Sequence, residues 1–490
     1  MITQANGLFQ FCFSFSPLDA QSLPGIHFGD AYFYHDYNTP VKYIDAPDKG
    51  VLLYGYATDL FEPSCDIVES LIKSNSIEEA LQIERMLGGK YVIFLRFGSC
   101  WYAIPDATSS VPLFYRTDKV FCASQIPALV AGLHMDESYL KARLSGDFSQ
   151  ALPYDITEYR EVRQLLPNHY LDLQKNKAYR FTAASDRIRH LTPEDAANQT
   201  LPLIRNLYAY YANHFRIYCP LTGGRDSRVI LAIALKNNAN TPCYTMRHPE
   251  HTEASDDLRI PATLAREYGF PYSCIKDVCV PKSLKDFTAK NIGIYSDRTL
   301  RLACTVKAHC NGAAIINGDI IGQVGKVSLH RDIPEIFATP AYFRCKLHNY
   351  SPLSKRLLKE WIDDIRASKE QISSFDLFSI ENRLGRWAAQ ENMIYNLLGQ
   401  PYFNVFNSRS ILYPWASVTR GLRKNGAIHS ELLRLAYPQI AESKYAADSM
   451  GARLSKLHWI TYLLASFLKY YLQKLIFKKR NHYETIDRYG

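Results

Sequence analysis

Long uninterrupted apolar runs are missing from this 490-residue chain, and so are paired cysteines, low-complexity tracts and dense blocks of one charge. A membrane-spanning helix needs ~20 predominantly apolar residues. The most apolar stretch, 459–477, is interrupted by Lys469, Gln473 and Lys474. It reads as an amphipathic packing helix, with membrane-surface binding as the lesser alternative, and no transmembrane segment is expected. The 11 cysteines are an odd number without a C-x-x-C pair. No basic start, apolar stretch and small-residue cleavage site open the chain, so a reduced, cytoplasmic protein is expected. Gly and Pro, at 24 each, exclude a collagen-like or low-complexity chain. The net charge of +9 is spread thinly, and its densest run, Lys478-Lys479-Arg480, reads as a solvated tail. No nucleic-acid partner is expected.

What is present is globular: 47% hydrophobic and 21% charged residues. One core stops growing near ~250–300 residues, so two domains are expected, residues 1–188 and 192–480. In the first, Phe9, Phe11, Phe13 and Phe15 recur with period two, which places them on one face of a strand. Residues 90–97, 100–104, 111–115 and 120–123 predict further strands, 126–133 a short helix, and 170–181 a hairpin. Near residue 190 the character changes. Thr192-Pro193-Glu194-Asp195 has the cap, the first-turn proline and the acid of a helix start. Beyond it, predicted strands at 216–221, 241–246 and 313–316 alternate with helices at 226–236 and 256–268, the pattern of a parallel α/β sheet. After about 345 the chain reads as mainly helical.

One segment carries chemistry. Leu221-Thr222-Gly223-Gly224-Arg225-Asp226-Ser227-Arg228 leaves a strand and opens a helix. Two glycines let backbone N–H groups approach an anion, and the helix start adds unpaired donors and a positive dipole end. Ser227 supplies a hydroxyl. Asp226 would repel a bare anion, so it points to a bridging Mg²⁺. The string is not a Walker loop, because G-x-x-x-x-G-K-[ST] is absent. Arg225 and Arg228 oppose the helix dipole, which makes sense if an anion is bound there. His248, His251 and Glu253 fall in a loop and read as no metal site, and Trp361, Tyr395 and Trp415 read as core aromatics.

The strand–[ST]-G-G-x-D-S–helix string resembles the pyrophosphate loop of the asparagine synthetase family, which also contains β-lactam synthetases and lasso-peptide cyclases. Over the first domain, Gly89-Lys90-Tyr91-Val92-Ile93, Asp106, Val111–Tyr115, Ala123-Ser124 and Ala128-Leu129 resemble a class II glutamine amidotransferase. The resemblance implies an Ntn-type αββα sandwich-like domain followed by a parallel α/β sheet with a pyrophosphate loop and a helical extension. It also implies that Leu221, Thr222, Gly223, Gly224, Ser227, Met246, Asn317 and Gly318 bind ATP. Asp226 and Asp319 would hold Mg²⁺. Lys444, after Tyr437-Pro438-Gln439-Ile440, would act with Asp226 and Arg228 in catalysis.

Two departures from the family stand out. Its glutaminase uses an N-terminal Cys, whereas this chain begins Met1-Ile2-Thr3 and Cys12 lies mid-strand, so glutaminase activity is not expected. The loop Asn317-Gly318-Asp319 keeps one acid where the family has more. The implied activity is AMP-forming activation of a small-molecule or peptide carboxylate. Nitrogen would come from free ammonia, a separate glutaminase or an amine substrate. A non-catalytic ATP-binding subunit, and a specialised amidotransferase or cyclase of a sugar or peptide pathway, are the alternatives. An RNA-modifying enzyme is disfavoured by the absent cysteine pair.

Overall fold

The computed structural model describes residues 7–18, 23–144, 152–181, 190–238, 240–248, 251–310, 312–327, 332–347, 349, 351–368, 372–443, 445–446 and 458–480. Among these residues it is a mixed α/β fold with three sheets. Two six-stranded antiparallel sheets are built from residues 11–180, and one five-stranded parallel sheet from residues 217–404.

The antiparallel sheets lie face to face. In the first, strand Phe11–Ser14 is central, between Phe121–Ala123 and Ala31–His35. In the second, Lys49–Asp59 and Leu87–Phe97 pair along eleven residues each. The period-two phenylalanines join the layers: Phe13 stacks on Phe94 at 4.9 Å, and Phe11 meets the edges of Tyr54 and Phe94. Phe9 lies just before the strand at φ +53, yet remains buried. The helices Ile67–Leu71 and Ile77–Met86, capped by Asp66 and Ser76, cover the outer face of the second sheet. The outer face of the first sheet packs on Ile292, Leu300, Met393 and Ile394, which come from much later in the chain.

The strand Lys49–Asp59 shows no period-two signal because both its faces are buried. The helix expected at 126–133 is only a 3₁₀ turn, Ile126–Ala128: Pro127 sits inside it, and Gly132 turns left-handed at φ +76. Thr192 caps the helix Pro193–His214 by accepting from the Asp195 N–H at 3.0 Å.

The parallel sheet has the spatial order Tyr272–Lys276, Cys243–Arg247, Ile217–Pro220, Ala314–Asn317, Tyr402–Asn404. The first strand in sequence is therefore the middle one. The chain builds outward on one side, then crosses to build on the other. The crossing leaves a crevice at the carboxyl ends of Ile217–Pro220 and Ala314–Asn317, where open α/β sheets place their ligands.

A polar seam joins the sandwich to this sheet. The Lys90 ammonium donates to Asn392 Oδ1 at 2.7 Å, Asn396 Oδ1 at 2.8 Å and the Tyr402 carbonyl at 3.1 Å. Asn407 donates to the Gly89 carbonyl at 2.6 Å and to Asp106 Oδ1 at 2.9 Å. Arg409 and Glu84 form a fully buried ion pair. Trp361 and Trp415 are wholly buried and Tyr395 nearly so, as expected of core aromatics.

Gly89 adopts φ +147, and a Cβ there would stand 2.1 Å from the Tyr56 carbonyl oxygen. Gly89→Ala should therefore destabilise the fold by about 2–4 kcal/mol, combining backbone strain with overpacking. A urea titration checks this, and an unchanged midpoint would show that the strands can separate to admit the methyl group.

Candidate active site

The crevice is built by two loops. The first, residues 221–225, links the strand Ile217–Pro220 to the helix Asp226–Asn237, whose Val229, Ile230, Ile233 and Ala234 are fully buried and fix its position. The loop's N–H groups converge on side-chain oxygens. Thr222 N–H donates to Ser227 Oγ at 3.1 Å, Gly224 N–H to Thr222 Oγ1 at 3.2 Å, and Gly223 N–H to Asp257 Oδ1 at 3.0 Å. Gly223 admits no side chain, since a Cβ would lie 2.8 Å from the Ala446 Cβ. Leu221 is buried and Thr222 exposed, so the loop passes from core to surface in one residue.

The second loop follows Ala314–Asn317. Asn317 anchors it by donating to the Phe403 carbonyl at 3.0 Å and accepting from Asn404 Nδ2 at 2.7 Å. Gly318 lies against the first turn of the helix Asp226–Asn237: a Cβ there would stand 3.5 Å from the Asp226 carbonyl. Met246 is the next-to-last residue of the neighbouring strand Cys243–Arg247.

Asp226 and Asp319 face one crevice from the two loops. Asp226 Oδ1 lies 2.8 Å from His429 Nε2, and its Oδ2 lies 2.9 Å from where a Cβ on Gly322 would stand, so Gly322 makes room for the carboxylate. Burial pushes the Asp226 carboxyl up, but the His429 hydrogen bond and charge outweigh it and leave it below the usual carboxylate range. Asp319 behaves oppositely. Burial and the Asp226 charge push it up to about 6. Glu391, on the helix Ala389–Leu397, is pushed up to about 8 by burial and by Asp319. The Tyr402 hydroxyl lies 3.4 Å from both carboxyls. A narrow cavity of about 20 Å³, room for one water, joins Asp319 and Tyr402 to Lys90 and Asn407 in the seam.

Arg225 and Arg228 both reach the segment around Tyr445. Arg228 is wholly buried; its guanidinium lies 4.0 Å from the Tyr445 ring centre and donates to the Ser443 carbonyl at 3.0 Å. Arg225 sits 5.2 Å from the same ring and donates to the Asn425 carbonyl at 2.8 Å. Ala446 N–H donates to the Gly223 carbonyl at 3.0 Å. The arginines thus help to clasp the segment around Tyr445 onto the loop 221–225. Lys444 lies outside the described residues.

The structure brings Thr222, Gly223, Gly224, Asp226, Ser227, Asn317, Gly318 and Asp319 to one crevice. His429, Glu391 and Tyr402 were not foreseen, because they stand 72 to 203 residues from Asp319 or Asp226 and belong to no motif. The rings of His248 and His251 meet edge to face at 5.2 Å. Among the described residues no three His, Cys, Asp or Glu side chains are grouped to hold a metal ion by themselves.

In the folded chain Asp319 and Glu391 hold protons more tightly than in the unfolded chain, so folding takes up protons between the ordinary carboxylate range near pH ~4 and about pH 8. Their contribution to stability is present at the acid end and is lost as pH rises through that window. Glu391→Gln should flatten the fall in melting temperature between pH 5 and 8.5. Parallel melting curves for wild type and variant check this; identical slopes would mean that Glu391 does not titrate in this window.

No family model and no curated protein matches this chain. Among solved structures it is similar to the NMN synthetase of Francisella tularensis, with a TM-score of 0.21 and 11% identity over 40% of this chain and 93% of that one. It is also similar to the glutamine phosphoribosylpyrophosphate amidotransferase of B. subtilis complexed with ADP and GMP, with a TM-score of 0.24 and 11% identity over 58% of this chain and 65% of that one. A third is described as the allosteric regulatory enzyme of purine biosynthesis, with a TM-score of 0.22 and 9% identity over 64% of this chain and 74% of that one. Likenesses this slight do not assign the chain to a family.

Proposed function

We propose that this chain is an ATP-dependent amide ligase of the asparagine synthetase type, which activates a carboxylate by adenylation and passes the acyl group to ammonia or an amine. The observation that carries this reading is the meeting of Asp226 and Asp319 at the crossover of the parallel sheet, beside a glycine loop and a helix start. The N–H groups of Thr222, Gly223 and Gly224 now donate to side-chain oxygens that a pyrophosphate oxygen would replace, and the Ser227 hydroxyl adds a fourth donor. Met246 and Leu221 would border the adenine, while Asn317 and Gly318 shape the opposite wall. Lys444 would stabilise charge near the α-phosphate, and Arg228 would hold the segment that carries it.

The acids fit Mg²⁺ arriving with nucleotide phosphates, since Mg²⁺ takes one or two carboxylates plus phosphate oxygens. Asp226 and Asp319 would hold it, and its charge would offset the burial and the neighbouring negative charge that push Asp319 and Glu391 up. It would neutralise the leaving pyrophosphate. In the reaction a substrate carboxylate oxygen bonds to the α-phosphorus and the bond to pyrophosphate breaks. The amine then attacks the acyl carbon, AMP leaves, and the amine loses a proton.

Residues 1–188 would form a degenerate amidotransferase-like domain and residues 192–480 the synthetase. Cys12 is a poor nucleophile: it is buried in its strand, and burial pushes its thiol up to about 12. Nitrogen would then come from free ammonia, a separate glutaminase or an amine on the substrate, the last being the route of a sugar- or peptide-pathway cyclase. A second reading, an ATP-binding regulatory subunit, draws on the Asp226–His429 pair, which already occupies one carboxylate oxygen.

Incubation with MgATP and candidate acids should release AMP and pyrophosphate, and Asp226→Ala should lower turnover at least ~100-fold without unfolding the chain. Release of ADP and phosphate would sink the ligase assignment. Nucleotide binding with no pyrophosphate from any acid would favour the regulatory reading.

A further inference from the structure

The helix Trp459–Arg480 is held to the rest of the protein along one side. There Leu463 is buried, the Lys346 ammonium donates to Tyr462 Oη and Ser466 Oγ at 3.0 Å each, and the Trp459 ring packs 5.4 Å from Phe337. The opposite side carries Ile460, Leu464, Leu468 and Leu472, which are 46%, 64%, 62% and 51% exposed. Residues four apart share a helix face, so these side chains form one stripe roughly 18 Å long. A separate segment extends it: Ile336, 82% exposed, precedes the Phe337 that meets Trp459. Single exposed leucines are ordinary, but an aligned series with a second contributor marks a surface that docks on something.

The charge of the helix says what that is. Its sequence contains Lys469, Lys474, Lys478, Lys479 and Arg480 and no Asp or Glu. Pairing with a second copy would set five cations against five. Among the described residues no helix is long and apolar enough to cross a membrane. An apolar stripe on a wholly basic helix suits the boundary between anionic headgroups and acyl chains. We propose that this helix docks the protein peripherally on an anionic lipid bilayer, with the stripe and Ile336 inserted in the interface.

Co-sedimentation of the full chain with vesicles tests this. Vesicles of equal parts phosphatidylglycerol and phosphatidylcholine should bind the protein roughly tenfold more tightly than phosphatidylcholine alone, and added salt should weaken the binding. The double variant Leu464→Ser/Leu468→Ser keeps the charge and alters only exposed positions. It should lose roughly tenfold in binding while its circular dichroism and melting temperature stay unchanged. The proposal is overturned if the wild type does not sediment with anionic vesicles, or if the double variant binds as well as wild type. It is also overturned if light scattering shows a dimer that the double variant dissolves while vesicles bind neither protein, because a second copy would then cover the stripe.

Discussion

The parallel pairing of Ile217–Pro220 with Ala314–Asn317 is the constraint on which the site depends. These strands are almost a hundred residues apart in sequence, yet neighbours in the sheet. Their common direction puts both carboxyl ends, and therefore both loops, at one edge. Had the strand after Tyr272–Lys276 been added beyond it, Asp319 would lie several strand widths from Asp226, at ~4.8 Å per strand. The crossover instead sets a glycine loop with its N–H groups opposite a loop ending in an acid.

Holding that edge in place is the seam to the antiparallel sandwich. A buried ammonium without partners is costly, and Lys90 meets the cost by donating to three oxygens drawn from the helix Ala389–Leu397 and the last strand of the parallel sheet. Burial pushes this lysine down to about 7, against the pull of Asp106. The same helix, Ala389–Leu397, carries Glu391. Breaking a fully buried pair such as Arg409–Glu84 leaves a lone charge, a loss of ~3–5 kcal/mol. The seam is therefore specific in register as well as adhesive.

The loop after Ala314–Asn317 carries one acid, Asp319, and the tertiary structure brings Glu391 near it from elsewhere in the chain. Asp226 and Asp319 respond to their surroundings in opposite directions, one lowered by a histidine partner and the other raised by burial and a like charge. Two neighbouring carboxyls driven apart in this way lose their protons at different pH.

The sequence by itself determined the elements whose signal is local. The Thr192 cap, the strand-to-helix turn at 221–226, the alternation of Phe11 and Phe13 and the β–α rhythm after residue 190 all follow from neighbours within a few positions, where caps, glycines and periodicity act. It could not show Lys49–Asp59, whose burial on both faces erases the period, nor the brevity of the 126–128 turn. Only the tertiary structure decided the contents of the crevice. His429 meets Asp226 across 203 residues, and Arg228 packs on the ring of Tyr445. The reason is geometric: a helix start dictates where backbone donors point, whereas the identity of a side chain's partner depends on which distant strand lies alongside, and the order of strands is written in no single segment.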